Sequence, residues 1–268
     1  MNYKNIPAYE ADFRKNGLDA DGKKFTFTSE TVTIPGTAET FEVLATKPAS
    51  GDQSYFYAEE KAKRRIVVHF TAGYLKGDIS ALTKKDNHVS VPFVVARDGT
   101  IYKLFASKYW SYHLGKGAQG GNQEMSSSSV AIELSNVGYL RPKGDQMVDP
   151  YGASYCAVTD ADAYTKLAKP YRGYTAFATF PDAQYTALTN LLRYLTKQYG
   201  IAPTFLDEAN RYDVFSGVAS FSGITTHVNY QPESYGKWDI GPAFDWTRVI
   251  SALATVPVNA VSAPAPTP

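Results

Sequence analysis

Apolar and polar positions divide the chain into strand-like and helix-like stretches. Lys24-Phe25-Thr26-Phe27-Thr28 and Thr40-Phe41-Glu42-Val43-Leu44 alternate as half-buried strands do, and they flank a turn signal at Pro35-Gly36. Arg65-Ile66-Val67-Val68-His69-Phe70 is a continuous β-branched run. It reads as a buried strand that ends at Thr71-Ala72-Gly73 and leaves His69 near a sheet edge. The segments 91–96 and 100–104 surround Arg97-Asp98-Gly99, a hairpin signal. The segment 129–135 is a further buried-strand candidate, interrupted by the carboxylate of Glu133. From Pro181 to Tyr199 the period becomes helical, with Tyr185, Leu188, Leu191, Leu192 and Leu195 on one face. Asp182 is the expected N-cap of that helix and Gly200 its stop.

This succession predicts an α/β fold, a central mixed β-sheet flanked by helices. Residues 1–61 read as an accessory, β-rich N-terminal extension and residues 62–252 as the main domain. An insertion at about 138–180, rich in Gly, Tyr and Asp, has weak periodicity. It is either a structured insertion near a site or a loop with short helices. Residues 253–268 have the Pro/Ala composition of a linker and are expected to form a disordered tail.

Composition removes several function classes. A chain of 268 residues with 44% hydrophobic and 20% charged residues can bury an ordinary globular core. A net charge of +1 and the absence of a dense Lys/Arg run argue against nucleic acid as a partner. No apolar run is long enough to span a bilayer, so no membrane insertion is expected. The segment from Met1 to Pro7 lacks the apolar stretch of a signal peptide, which predicts synthesis in the cytoplasm without such a signal. A substrate outside the cytoplasm would then be reached after lysis or by another delivery machine. Cys156 is the single cysteine, which excludes an intrachain disulfide and a cysteine-based zinc site. The 20 tyrosines are read chiefly as core residues, in preference to a sugar-binding surface.

The candidate chemistry gathers in the stretch from Thr226 to Trp246. A histidine (His227) and a carboxylate (Asp239) there are good ligands for a divalent zinc ion. Lys237 is cationic and has no lone pair to offer a metal, but its ammonium could stabilise an oxyanion. A third ligand must come from elsewhere. Of the four histidines, His88 lies in a polar stretch and reads as structural. His69 ends an apolar run, where an unpartnered imidazole would be costly and a metal is one way to satisfy it. Glu133 either faces solvent on a half-exposed strand or acts as a general base with a raised pKa, and the residues alone leave both readings open.

Four blocks in order resemble the type 2 N-acetylmuramoyl-L-alanine amidases, zinc peptidoglycan hydrolases related to peptidoglycan-recognition proteins and T7-type phage lysozyme. They are Val67-Val68-His69-Phe70-Thr71-Ala72-Gly73, Ser111-Tyr112-His113-Leu114-Gly115, Ala131-Ile132-Glu133-Leu134-Ser135-Asn136, and the stretch from His227 to Trp246. Gly241-Pro242-Ala243-Phe244-Asp245-Trp246 is close to the anhydromuropeptide-amidase branch. The resemblance spans roughly residues 62–250. It implies one zinc ion held by His69, His227 and Asp239, with Glu133 and Lys237 catalytic and His113 binding substrate. Two departures stand out. Ile240 replaces the family's proline after the aspartate, and the spacing from His227 to Lys237 is long.

The implied activity is hydrolysis of the amide joining N-acetylmuramic acid to L-alanine in peptidoglycan or a muropeptide. The alternatives are a non-catalytic peptidoglycan-binding domain and a zinc amidase or peptidase acting on another stem-peptide amide. The expected setting is bacterial cell wall degradation, as an endolysin or a bacteriolytic effector. Attachment to a phage or contractile-injection assembly is a further expectation.

Overall fold

The computed structural model describes residues 1–254. A first helix, α1 (Ile6–Asn16), leads into a hairpin of β1 (Phe25–Thr33) and β2 (Thr40–Pro48). Gly17 ends α1 at φ 62, and a Cβ there would meet the Phe25 carbonyl oxygen at 2.5 Å, so only glycine suits the position. The chain then forms β3 (Arg65–Phe70), α2 (Leu75–Leu82), β4 (Phe93–Val95), β5 (Ile101–Lys103), α3 (Asn122–Ser127) and β6 (Ser129–Leu134). Five strands follow: β7 (Tyr139–Lys143), β8 (Gln146–Val148), β9 (Ser154–Ala157), β10 (Tyr164–Tyr171) and β11 (Tyr174–Ala178). The last elements are α4 (Asp182–Tyr199), α5 (Glu208–Arg211), β12 (Gly223–Thr226) and α6 (Trp246–Ala254).

The expected mixed sheet has seven strands in the order β1-β2-β5-β4-β6-β3-β12. β3 pairs in parallel with β6 and β12, and all six of its residues are buried, as the unbroken apolar run requires. Alternate side chains take opposite faces. Ile66, Val68, Phe70, Ile132 and Leu134 pack with Leu188, Leu191 and Leu192 of α4 and Trp246 of α6. On the other face Val94, Tyr102 and Ala131 pack with Phe13 of α1 and Leu75 and Ile79 of α2. His69 and Glu133 alternate out of the first core, so both point to the second face.

The N-terminal extension joins the main sheet, because β2 pairs in parallel with β5. The insertion is structured. It forms a five-stranded sheet in the order β10-β11-β7-β8-β9, with antiparallel pairings throughout. Its tight turns at Gly144 and Gly173 carry positive φ, which explains glycine in a stretch that otherwise shows little periodicity. At α4 the expectation is off by one position. Pro181 occupies the cap and Asp182 is the first helical residue, its carboxylate accepting from Arg248 Nη1 at 2.6 Å. Gly200 stops the helix at φ 62, as expected. Cys156 is buried and free. The tail expected from residue 253 lies, beyond residue 254, outside the described residues.

Glu10 fastens α1 to the hairpin of β4 and β5. Its carboxylate is 2% exposed and accepts the backbone N–H groups of Arg97 at 3.1 Å and Asp98 at 3.3 Å. Burial pushes its pKa up to about 7 against the opposing pull of those N–H groups. The folded chain therefore holds this proton more tightly than the unfolded chain does. The resulting stability is complete below the unfolded value of 4.5 and is lost as the pH rises toward 7. Glu10→Gln should remove a pH-dependent loss on the order of 2 kcal/mol. Urea unfolding of both proteins between pH 5 and 8 checks this, and parallel pH profiles would refute it.

Candidate metal centre and active site

Strand register builds the site. The parallel pairing of β3 with β6 sets His69 beside Glu133, and the pairing of β12 with β3 sets Thr226 beside Val68. The residue after Thr226 is His227, so the end of β12 delivers a second imidazole at the level of His69. Asp239 reaches the same place from the loop before α6, and its backbone carbonyl accepts from Val228 N at 2.9 Å. The Asp239–Ile240 peptide is cis, and Ile240 is buried in the core against α4 and α6.

These side chains converge tightly. His69 Nδ1, His227 Nδ1 and Asp239 Oδ2 stand 3.0 Å from one another, and all three residues are buried. The outer hydrogen bonds settle the tautomers. His227 Nε2 lies 3.1 Å from the Leu114 carbonyl oxygen, which can only accept, so Nε2 carries the proton and Nδ1 a lone pair. Ser129 Oγ donates to the Ser126 carbonyl at 3.2 Å and therefore accepts from His113 Nε2 at 2.7 Å. His113 Nδ1 is then an acceptor for His69 Nε2–H at 3.0 Å, which leaves His69 Nδ1 unprotonated.

Two imidazole lone pairs and a carboxylate thus face each other in a dry interior. Without a cation between them the arrangement is repulsive, and a nitrogen, nitrogen, oxygen donor set suits zinc. Among the described residues, these three form the group able to hold a metal ion. Charge states agree. Burial pushes the His69 pKa down to about 4, partly opposed by Asp239.

Glu133 is half-buried, and its Oε2 has no hydrogen-bond partner. Burial, then the charges of Asp239 and Asp78, push its pKa well above the ordinary carboxylate value, while Lys237 opposes them. The carboxylate is thus only partly exposed and lies in the field of the cluster. Lys237 is half-buried, and its charge acts on both His69 and Glu133. Glu133 also lines a cavity of about 340 Å³ with Tyr9, Tyr74, Asp78 and Tyr151. Asp78 accepts from Ser135 Oγ at 2.6 Å, and burial pushes its pKa up to about 6.

His113 is half-buried with both ring nitrogens engaged, so any substrate contact must use its ring carbons. His88 stacks on Tyr57 with ring centres 4.1 Å apart and takes no part in the cluster. Sequence reasoning missed Ser129 and the Leu114 carbonyl, which fix the imidazole tautomers, and Asp78. A serine opening an apolar strand, two residues before the pair Ala131-Ile132, carries no signal of such a role.

The chain His69–His113–Ser129 should matter to metal affinity even though His113 is outside the donor set. Replacing His113 by Phe keeps a ring but removes the acceptor for His69 Nε2–H. Zinc affinity, measured by competition with a chelator, is expected to fall about 10–100-fold. An unchanged affinity would show that this bond does not orient His69.

Comparison with known proteins gives a consistent assignment. The family model described as N-acetylmuramoyl-L-alanine amidase matches residues 59–242. The chain is 23% identical over 189 residues to N-acetylmuramoyl-L-alanine amidase AmiD of Escherichia coli (strain K12), covering 69% of this chain and 51% of AmiD. It thus spans about half the length of that curated relative. Among solved structures it is similar to E. coli AmiD in complex with the substrate anhydro-N-acetylmuramic acid-L-Ala-D-γ-Glu-L-Lys. That match has 21% identity and a TM-score of 0.47, over 73% of this chain and 59% of that one. A selenomethionine derivative of AmpD matches at 18% identity and a TM-score of 0.47, over 83% of this chain and 98% of that one. The chain belongs to the N-acetylmuramoyl-L-alanine amidase family.

Proposed function

We propose that this chain is a zinc-dependent peptidoglycan hydrolase that cleaves the amide between N-acetylmuramic acid and the L-alanine of the stem peptide. The observation that carries the reading is the carboxylate of Glu133, whose Oε2 has no partner and which strand register sets beside His69 of the three converging donors, within the field of Lys237. His69, His227 and Asp239 would hold one zinc ion, which when bound supplies Lewis-acid polarisation of the scissile carbonyl and acidifies water. Glu133 would take the proton of the attacking water and return it to the departing amine, a task that suits a carboxyl with a raised pKa. Lys237 would neutralise charge gathering on the carbonyl oxygen, a contribution of about 3 kcal/mol for one well-placed donor.

Family membership supports this substrate class. In this reading the protein acts on the bacterial wall, reached after lysis or by delivery with a phage or contractile-injection assembly. No helix among the described residues is long and apolar enough to cross a membrane. A peptidoglycan-binding domain without catalysis would have no use for a half-buried carboxylate with an unpartnered Oε2 beside a candidate metal centre.

Glu133→Ala and Lys237→Ala should keep their zinc and lose on the order of 10²-fold or more in turnover. His227→Ala should lose the metal itself. Metal content and muropeptide release, measured on each purified variant, check this; full activity in Glu133→Ala would remove its assigned role. Mass spectrometry of digested cell wall is expected to show stem peptides with a free L-alanine N-terminus. Fragments cut at another amide would favour the peptidase alternative, and intact wall with bound protein the recognition alternative.

A further inference from the structure

The hairpin of β10 and β11 belongs to the insertion sheet, yet its tip grips the loop that carries Lys237 and Asp239. Tyr171 faces Tyr174 across the turn Arg172-Gly173, whose residues have φ 45 and φ 85. A turn with positive φ at both central positions suits asparagine or glycine, and arginine is strained there. The strain has a visible use. The Arg172 side chain is 5% exposed, and its Nη1 donates to the carbonyl oxygens of Lys237 at 2.6 Å and Gln231 at 3.3 Å. Trp238 Nε1 donates back to the Arg172 carbonyl at 3.1 Å.

The neighbouring residue adds a second hold. The ring of Tyr171 lies 2.3 Å from where a Cβ on Gly241 would stand, and its hydroxyl donates to the Tyr212 carbonyl at 2.9 Å. The hairpin therefore touches the chain on both sides of Asp239. Between the two gripped carbonyls, Pro232 through Gly236 are all exposed. Among the described residues neither carbonyl accepts any other hydrogen bond. The guanidinium also lies over the Tyr171 ring, 5.7 Å from its centroid, while the Asp213 carboxylate at 3.2 Å is 79% exposed and contributes little. Charge-assisted bonds from a dry guanidinium to the two carbonyls carry the hold.

We propose that Arg172 is a positioning residue: it fixes the backbone from Gln231 to Asp239, so that the Lys237 ammonium and the Asp239 carboxylate meet His69, His227 and Glu133 together. The catalytic part rests on the function proposed above, while the metal part rests on the geometry of the loop. Arg172→Gly removes the guanidinium and suits the turn better than arginine, so the hairpin itself should keep its stability. The variant is expected to melt within a few degrees of wild type and to bind zinc about tenfold more weakly by chelator competition. Its kcat on a muropeptide should fall on the order of 10²-fold with KM held within about threefold, the signature of misplaced catalytic groups. Arg172→Lys should recover part of both losses.

Wild-type zinc affinity and kcat in Arg172→Gly would overturn the proposal. If the wild-type protein binds zinc but cleaves no muropeptide, the functional reading fails and the zinc measurement decides the positioning role. Should Arg172→Gly not fold, Arg172→Asn takes its place, since asparagine is also at home in this turn. Failure of Gly, Asn and Lys variants alike to fold would mark Arg172 as structural and overturn the proposal too.

Discussion

Three electron-rich atoms held 3.0 Å apart in a dry interior repel one another, and the fold is arranged to impose that repulsion. Parallel pairing on both sides of β3 fixes the level of His69, Glu133 and the entry to His227. The outer hydrogen bonds to the Leu114 carbonyl and to His113 turn both lone pairs inward. A cation at the centre would relieve the arrangement, and these three residues are the group able to hold one among the described residues. Binding energy of a metal ion would offset the cost of assembling such a group.

Much of this was legible because strand chemistry and metal chemistry mark the same residues. The run from Arg65 to Phe70 announced a doubly buried strand, and the imidazole inside it was conspicuous for that reason. The carboxylate within the segment 129–135 was visible too, but not its surroundings. The sequence left open which way Glu133 faces, and the parallel register sets it beside His69. His227, Lys237 and Asp239 share a short stretch, so their meeting needed little long-range inference.

What stayed hidden depends on contacts between distant segments. The insertion at 138–180 offers strands whose exposed positions blur any period, and its small apolar core, with Leu140, Met147 and Tyr155, forms only when the strands and Ile6 meet. Arg172 sits in a turn position that arginine rarely occupies, and nothing near it in sequence suggests a role. Its partners, Gln231 and Lys237, are 59 and 65 residues away. Asp182 shows the opposite error. A local capping rule was right about where the helix begins but missed that Pro181 takes the cap and Arg248 claims the carboxylate.

The order of the donors along the chain has a consequence of timing. His69 lies 158 residues before His227 and 170 before Asp239. A nascent chain therefore displays this imidazole long before the other two donors exist, and β3 cannot gain its β12 neighbour until residues 223–226 have been made. Until Asp239 has emerged, the growing polypeptide offers a divalent ion no complete cradle. The stretch from His227 to Asp239 thus completes the group that could hold a metal ion.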